Sequence, residues 1–558
     1  MKKKEPLDFT PQKSVEWYKP TQLIKTGIKA LVSTILGVFD DKRETFHHDS
    51  KKYFDYSINK DELWIDYIAD LADGFDATYT LAKLLASPEI EIDGEIMPRS
   101  DLLIMGGDQV YPAASREEYE NRLKGPYKAA FPLEKDDDEL PHLFAIPGNH
   151  DWYDSLTNFL KIFCQKRKIG NWRTQQDRSY FALKLPHKVW LFGVDIQLKS
   201  DIDKNQLNYF STILDEEVEE DSKIILCTAE PAWIYKTSSK NEAYKNLAHF
   251  ESSYANYKDK HEHQKTKQIL TIAGDLHHYA RYETNNGSHK ITAGGGGAFM
   301  HPTHNLPELV RDLREGDIAL KKTFPSSKAS KSLLFRNLWF PFTNLGMATL
   351  IGGIYAIMGW VMYLHFEADV NDLPFMKMLF DLPSNPSLLI LVFLLIFSLG
   401  KFADRKPYNP KFKYAKVYFF LGILHGLAQA FMIWVSFYIA TWYVSSLYLA
   451  SEIISWSLIE IALWVSGFLM GGCIFGVYLI IANLLLGIHD NEAYSSLKWT
   501  GYKNFLRLHL THDKIIIYPI GITKVAKWTY KVKNGKGEFE TNTQPNLQLI
   551  EDPVIIHL

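Results

Sequence analysis

The chain has 558 residues and a formal net charge of −3, from 62 lysines and arginines against 65 aspartates and glutamates. That balance, with no basic stripe interleaved with aromatic residues, argues against nucleic acid as a main partner. The three cysteines, Cys164, Cys227 and Cys473, are odd in number and far apart, which implies neither a disulfide framework nor a thiolate zinc motif and suits a reducing compartment. There is room for one catalytic domain, a membrane block and a tail. No internal repeat is visible, so a transporter built from duplicated halves is disfavoured.

The first segment, 1–59, starts Met1-Lys2-Lys3-Lys4 with no apolar core or cleavage pattern behind it, and no secretory signal is expected. Ile24, Ile28, Leu31, Ile35 and Phe39 then recur at helical spacing, flanked by Lys25 and Lys29. This spacing predicts an amphipathic helix, suited either to an inner membrane surface or to packing on the protein's own body.

Residues 60–320 change character. Leu63–Ile68, Leu102–Met105, Leu143–Ile146, Lys223–Cys227 and Gln268–Ala273 are short apolar runs that stop at turn residues, as buried strands do. A helical pattern over Ala77–Leu85 follows the first. Chemistry in α/β sheets sits just beyond the carboxyl ends of strands. There the sequence places Asp70 and Asp73, then Gly107-Asp108-Gln109-Val110-Tyr111, then Gly148-Asn149-His150-Asp151, then Glu230, and finally Gly274-Asp275-Leu276-His277-His278. Mixed Asp, Asn, Glu and His donors fit two adjacent divalent metal ions better than a closed structural zinc site.

These blocks resemble the calcineurin-like metallophosphoesterase superfamily, over roughly residues 60–305. That family's pattern is D-x-H, G-D-x-x-[DY], G-N-H-[DE], a lone histidine and G-H-x-H. The second and third blocks match in full. The resemblance implies a β-sandwich flanked by helices, with Asp108 bridging two metals, Asn149 ligating one and His150 touching the substrate phosphate. The other blocks depart from it: Ala72 fills the first histidine position beside Asp73, Glu230 falls where the lone histidine would, and Asp275 replaces the first histidine of the last block while His277 keeps the second. The expected ligands are therefore Asp70, Asp73, Asp108, Asn149, Glu230, Asp275 and His277. Such a hard, anionic set leans toward manganese, with magnesium, iron or zinc as alternatives.

The implied reaction is hydrolysis of a phosphomonoester or phosphodiester by a metal-activated water. His150 is the candidate acid–base residue. Tyr111, Asp151, Arg173, Arg178, His278, His301 and His304 are candidates for orienting ligands or binding phosphate; the two arginines fit a surface salt bridge equally well. Gly294-Gly295-Gly296-Gly297 is expected to let the backbone pass close to the metal edge.

The third region, 345–488, is apolar. Runs at Gly346–Phe366, Ser387–Gly400, within Val417–Tyr448 and within Ile453–Ile488 predict four membrane spans. Arg405, Lys406, Lys411, Lys413 and Lys416 lie between the second and third runs, whereas Glu367, Asp369, Asp372 and Asp381 face only Lys377 between the first and second. With Lys321, Lys322, Lys328, Lys331 and Arg336 ahead of the first run, this places both termini and the catalytic domain on the cytoplasmic side of the inner membrane. His425 and Glu460 are costly within such spans and mark a possible ion or substrate path.

In the tail, 489–558, Asn504–Leu510 and Ile515–Tyr518 around His512-Asp513 give a hairpin signal. A lone hairpin is unstable in water, so this cytoplasmic β-rich tail is expected to pack on the catalytic domain, with a mobile stretch at 534–545. The expected fold is thus α/β, with a four-helix transmembrane block and a C-terminal β segment. Two functions fit: a membrane-anchored phosphoesterase acting on a phosphate ester that could be lipid-linked, or a non-catalytic membrane sensor or scaffold with a degenerate phosphoesterase domain. Oligomeric state leaves no trace in the sequence.

Overall fold

The computed structural model describes residues 7–36, 52–58, 60–133, 140–196, 202–237, 241–259, 261, 263–366, 375, 384–403, 416–533 and 536–558. The chain divides into two compact units, Met1–Val15 with Thr26–Ser330 and Trp499–Leu558, and Glu16–Lys25 with Lys331–Lys498. Expectations for the charged loops at 367–374, 376–383 and 404–415 lie outside the described residues.

The first unit is built on five strands that carry the candidate site: β1 (Leu63–Ile68), β2 (Leu102–Met105), β3 (His142–Ala145), β4 (Ser222–Thr228) and β5 (Thr266–Ala273). β1, β2 and β3 are parallel neighbours in one sheet; β4 and β5 are parallel neighbours in a second, where β6 (His289–Ala293) continues beside β5. Each sheet has nine strands among the described residues. Side-chain alternation explains the layering. Leu63, Ile65 and Tyr67 of β1, Leu102 and Ile104 of β2, and Ile225 and Cys227 of β4 share one core between the sheets. Ile68, Leu103, Met105 and Leu143 face the opposite side, against Tyr79, Leu81 and Leu85 of the helix Phe75–Ala86. Burying each such aliphatic side chain contributes about 1.5–3 kcal/mol. The mixed α/β architecture with flanking helices matches the fold expected from the sequence.

The tail completes the first sheet. β7 (Lys503–Leu510) runs antiparallel to β1, with Leu506 opposite Tyr67 and Leu510 opposite Leu63, and β8 (Lys514–Ile522) pairs with β7 as a hairpin. Leu506, Leu508 and Leu510 enter the inter-sheet core. Within the stretch at 534–545, Lys536–Thr541 pairs antiparallel with Trp528–Lys533, while residues 534–535 lie outside the described residues. The Phe539 ring anchors this hairpin, 4.7 Å from that of Phe75 and 4.9 Å from that of Tyr79.

Among the described residues of the second unit three helices are long and apolar enough to cross a membrane: Leu345–Phe366, Lys416–Ser445 and Glu452–Leu486. Pro386–Phe402 is a shorter apolar helix of 17 residues, so three long helices and a short one stand where four spans are expected. Large apolar side chains such as Ile357, Trp360, Leu364, Phe420 and Ile461 point outward, as they do in contact with lipid. Polar groups face inward: Tyr355 Oη donates to Gln429 Oε1 at 2.7 Å, and Gln429 Nε2 donates to the Gly471 carbonyl at 3.0 Å. His425 joins this network, 3.2 Å from Gln429 Nε2, with its ring stacked on Tyr478. The amphipathic segment forms a helix over Pro20–Leu36; residue 39 lies outside the described residues.

Candidate metal centre

Main-chain hydrogen bonds draw the strand ends together. Asp70 N donates to Gly107 O at 3.0 Å and Leu71 N to Asp108 O at 2.9 Å, joining the ends of β1 and β2; Gly274 N donates to Ala229 O at 3.2 Å, joining those of β4 and β5. Asp70, Ala72, Asp108 and Asp275 all have left-handed backbone, with φ of 60°, 48°, 49° and 65°. Each costs of order 1 kcal/mol for a residue with a Cβ, and such conformations cluster where function holds the chain in place. Two glycines make room for the carboxylates. A Cβ on Gly148 would lie 2.1 Å from Asp108 Oδ1, and one on Gly294 would lie 2.4 Å from Asp70 Oδ2.

The side chains converge on one atom. Tyr111 Oη lies 3.0 Å from Asp70 Oδ1, 3.1 Å from Asp108 Oδ2 and 2.9 Å from His277 Nε2. A carbonyl only accepts, so the 2.6 Å contact between His277 Nδ1 and Phe299 O puts the proton on Nδ1 and leaves Nε2 as a lone pair facing inward. One phenolic hydrogen thus faces three acceptors. Asp70 and Asp108 are 0% and 3% exposed. Burial pushes both carboxyls well above the usual range; the charge of Asp275 adds to this at Asp70, and that of Asp70 at Asp108. Burial lowers His277 to about 4, which leaves it neutral and able to ligate.

The third block completes the edge. His150 N donates to Asp108 Oδ1 at 2.8 Å. Asn149 Nδ2 donates to Tyr153 Oη at 3.3 Å, which leaves its amide oxygen for another partner. Buried Asp151 secures the turn by accepting from Gly148 N at 2.9 Å, from Gln109 N at 3.1 Å and from the Tyr119 hydroxyl. The Nδ1 proton of His150 goes to Pro112 O at 2.8 Å, and burial lowers this imidazole to about 4. Asp275 N donates to Asp70 Oδ2, and the Asp275 carboxylate accepts from Tyr235 Oη, both at 2.9 Å.

The remaining sequence candidates are placed differently. Asp73 accepts from Val15 N at 2.7 Å, and Glu230 lies just past the end of β4. Arg173 pairs in register with His142, at the start of β3 and thus the opposite end from the site. Arg178 is bound to Asp177 at 2.9 Å and lies over the Tyr209 ring. His301 stacks on His277 with ring centroids 4.0 Å apart. His304 Nδ1 contacts Ser330 Oγ at 2.9 Å. His278 is fully buried and held near 3 by that burial. Sequence reading missed Lys503, the first residue of β7: it is 1% exposed, donates to Ala298 O, and is lowered by burial to about 8 against the pull of Asp73 and Asp70.

Among the described residues no three His, Cys, Asp or Glu side chains form a ready metal-holding group. The donors close instead on Tyr111, a fourth donor outside that residue set. The donor chemistry fits a cation: two buried carboxylates, a phenol and an imidazole whose lone pair is aimed at them, with the Lys503 ammonium as a buried positive charge that acts on Asp70 and His277.

Residues 63–248 match the model of the calcineurin-like phosphoesterase family. Similar solved structures include purple acid phosphatase PPD1 from yellow lupin (Lupinus luteus) seeds, at 11% identity over 44% of this chain and 46% of that one with a TM-score of 0.30. Another is PhoD, at 11% identity over 44% of this chain and 59% of that one with a TM-score of 0.27. The chain thus spans about half the length of these two structures. No curated protein matches the chain.

Proposed function

We propose that this chain, which carries a calcineurin-like phosphoesterase domain over residues 63–248, is a membrane-anchored, metal-dependent phosphoric ester hydrolase. The observation that carries the reading is the convergence of Asp70, Asp108 and His277 on the Tyr111 hydroxyl within 3.1 Å. Asp70, Asp108, Tyr111 and His277 would hold one metal ion, and Asp108, Asn149 and Asp275 a second. Oxygen and imidazole donors without thiolate suit manganese or iron best, with magnesium and zinc as alternatives. When bound, the metals would offset the charge of the phosphoryl oxygens and lower the pKa of a water toward neutrality.

The chain's own groups supply the rest. His150, half-buried and neutral, has its ring centroid 4.4 Å from that of Tyr111 while Pro112 O fixes its tautomer. A bound phosphate anion raises the pKa of a neighbouring imidazole. His150 can then hold a proton against a phosphoryl oxygen or pass it to the leaving oxygen. Asp151 keeps Asn149 and His150 in place through the turn it secures.

The three long apolar helices support membrane attachment, and the loop charges support a cytoplasmic catalytic unit at the inner membrane. A lipid-linked phosphate ester is the substrate class this association favours. The test is hydrolysis by the purified protein with manganese, against phospholipid headgroup esters in micelles and soluble nucleotide esters. Turnover of the lipid-linked esters is expected. Turnover of soluble esters alone contradicts the lipid part, and turnover of neither favours the sensor or scaffold reading.

A further inference from the structure

Lys503 is the first residue to enter β7 after the membrane block, and nothing in the mechanism above uses it. Its side chain is 1% exposed. Burying an ammonium costs several kcal/mol unless it is hydrogen-bonded and faces negative charge, so its location calls for a reason. Its Nζ donates to the carbonyl of Ala298, in the glycine-rich segment that follows β6. This segment is threaded tightly between β1 and β7. Gly296 N donates to Ala69 O at 2.8 Å, Ala298 N to Asp70 O at 3.0 Å, and Asn504 N to Gly295 O at 3.0 Å. A Cβ on Gly296 would meet Ala69 O at 2.2 Å, and one on Gly295 would meet Asn504 Nδ2 at 2.0 Å, so the segment has little slack.

The next carbonyl in that segment, Phe299 O, accepts from His277 Nδ1 at 2.6 Å. It is the group that keeps the imidazole in the tautomer whose Nε2 faces Tyr111 and Asp70. The segment also bears on His277 through its main chain, since His301 N donates to His277 O at 3.3 Å. Lys503 therefore pins the residue adjacent to the carbonyl that aims His277. Partners that orient an imidazole from behind typically change metal affinity 10–100-fold when removed.

We propose that Lys503 is a positioning residue of the metal centre, through which the segment after the membrane block holds the 294–301 loop and so aims the His277 imidazole. The sequence that supplies the ligands ends at His277, yet on this account the centre is incomplete without a residue more than two hundred positions further on. The inference rests on the metal-centre reading above, and its test separates the two.

The test uses the full-length protein in detergent, as wild type, Lys503→Met and Lys503→Arg, with manganese as the probe. Two quantities are read: the manganese dissociation constant by titration, and amide hydrogen exchange of the metal-free proteins. Lys503→Met, which keeps the length of the stem but loses the donor, is expected to bind manganese at least about tenfold more weakly. Its Gly296 and Ala298 amides should exchange faster while those of Leu506 and Leu508 in β7 keep wild-type protection. Lys503→Arg, which keeps charge and donors, should lie nearer to wild type on both measures. Unchanged or tighter manganese binding in Lys503→Met overturns the inference, since the ammonium would then be a bystander or a rival cation. Loosening of β7 together with the loop, or failure of Lys503→Met to fold, also overturns it by reducing Lys503 to a structural role. A wild type that binds no manganese instead overturns the metal-centre reading.

Discussion

Arg507 and Asp66 form a doubly hydrogen-bonded pair with no solvent exposure: Nε to Oδ1 and Nη2 to Oδ2, each at 2.8 Å. The pair crosses from β7 to β1, with Ser100 Oγ and the Met97 carbonyl taking up further bonding capacity. It ties the tail to the strand that delivers Asp70. Breaking one side leaves a buried charge alone, so Asp66→Asn or Arg507→Met is expected to cost about 3–5 kcal/mol. The double variant Asp66→Leu with Arg507→Met should be less damaged than either single change. Thermal unfolding of the three variants beside the wild type checks this.

The glycines that admit the carboxylates give a second expectation. Gly148→Ala places a methyl against Asp108 Oδ1, and Gly294→Ala one against Asp70 Oδ2. Both should lose metal binding while retaining the secondary structure of the wild type. Metal analysis beside circular dichroism decides it.

His150 touches Tyr111 through its ring and Asp108 through its main chain. Changing the ring alone should spare the metals and slow the reaction. His150→Gln is expected to lower kcat about 10²–10⁴-fold with metal content unchanged. Equal loss of metal and activity would show the ring to be a ligand.

Asp151 gives a pH signature in metal-free protein. Burial raises its carboxyl from an unfolded value of 3.8 to about 7. Within that window the folded chain keeps a proton that the unfolded chain has released, so this residue's contribution to stability falls as pH rises and is level above about 7. Buried imidazoles such as His150 act in the opposite sense, so the comparison is with Asp151→Asn. The wild-type Tm should fall relative to that of Asp151→Asn between about pH 4 and 7 and run parallel above it. A constant difference would contradict the assignment.

Membrane attachment predicts that the chain stays with the membrane through alkaline carbonate extraction. Single cysteines placed at the N-terminus, the C-terminus and within 404–415 should react with an impermeant thiol reagent only when the cytoplasmic side is open. Labelling from the outer side would reverse the orientation.

Much of this was legible in the sequence. β1, β2 and β3 announce themselves because a strand buried on both faces is apolar at nearly every step, with Asp66 of β1 the charged exception that Arg507 meets, and the chain then turns sharply at a glycine, proline or aspartate. Asp70, Asp108 and His277 were legible for the same reason. Tyr111 was legible as part of a motif but not as the atom the others surround, since convergence depends on how three strand ends are brought together. Arg173 illustrates the limit: it follows the third block closely in sequence, yet a parallel strand starts at the far end of the sheet. Lys503 left no signal, because one lysine at the head of an amphipathic strand looks like any solvated end. Its burial arises only when β7 pairs with β1.

The most direct measurement is the metal content of the purified wild type and of Asp108→Ala, each paired with a phosphate ester hydrolysis assay. The account predicts a wild type that retains divalent metal and hydrolyses ester, and an Asp108→Ala variant that folds but loses both. A wild type that binds no metal and hydrolyses no ester under manganese, iron, magnesium or zinc would contradict it.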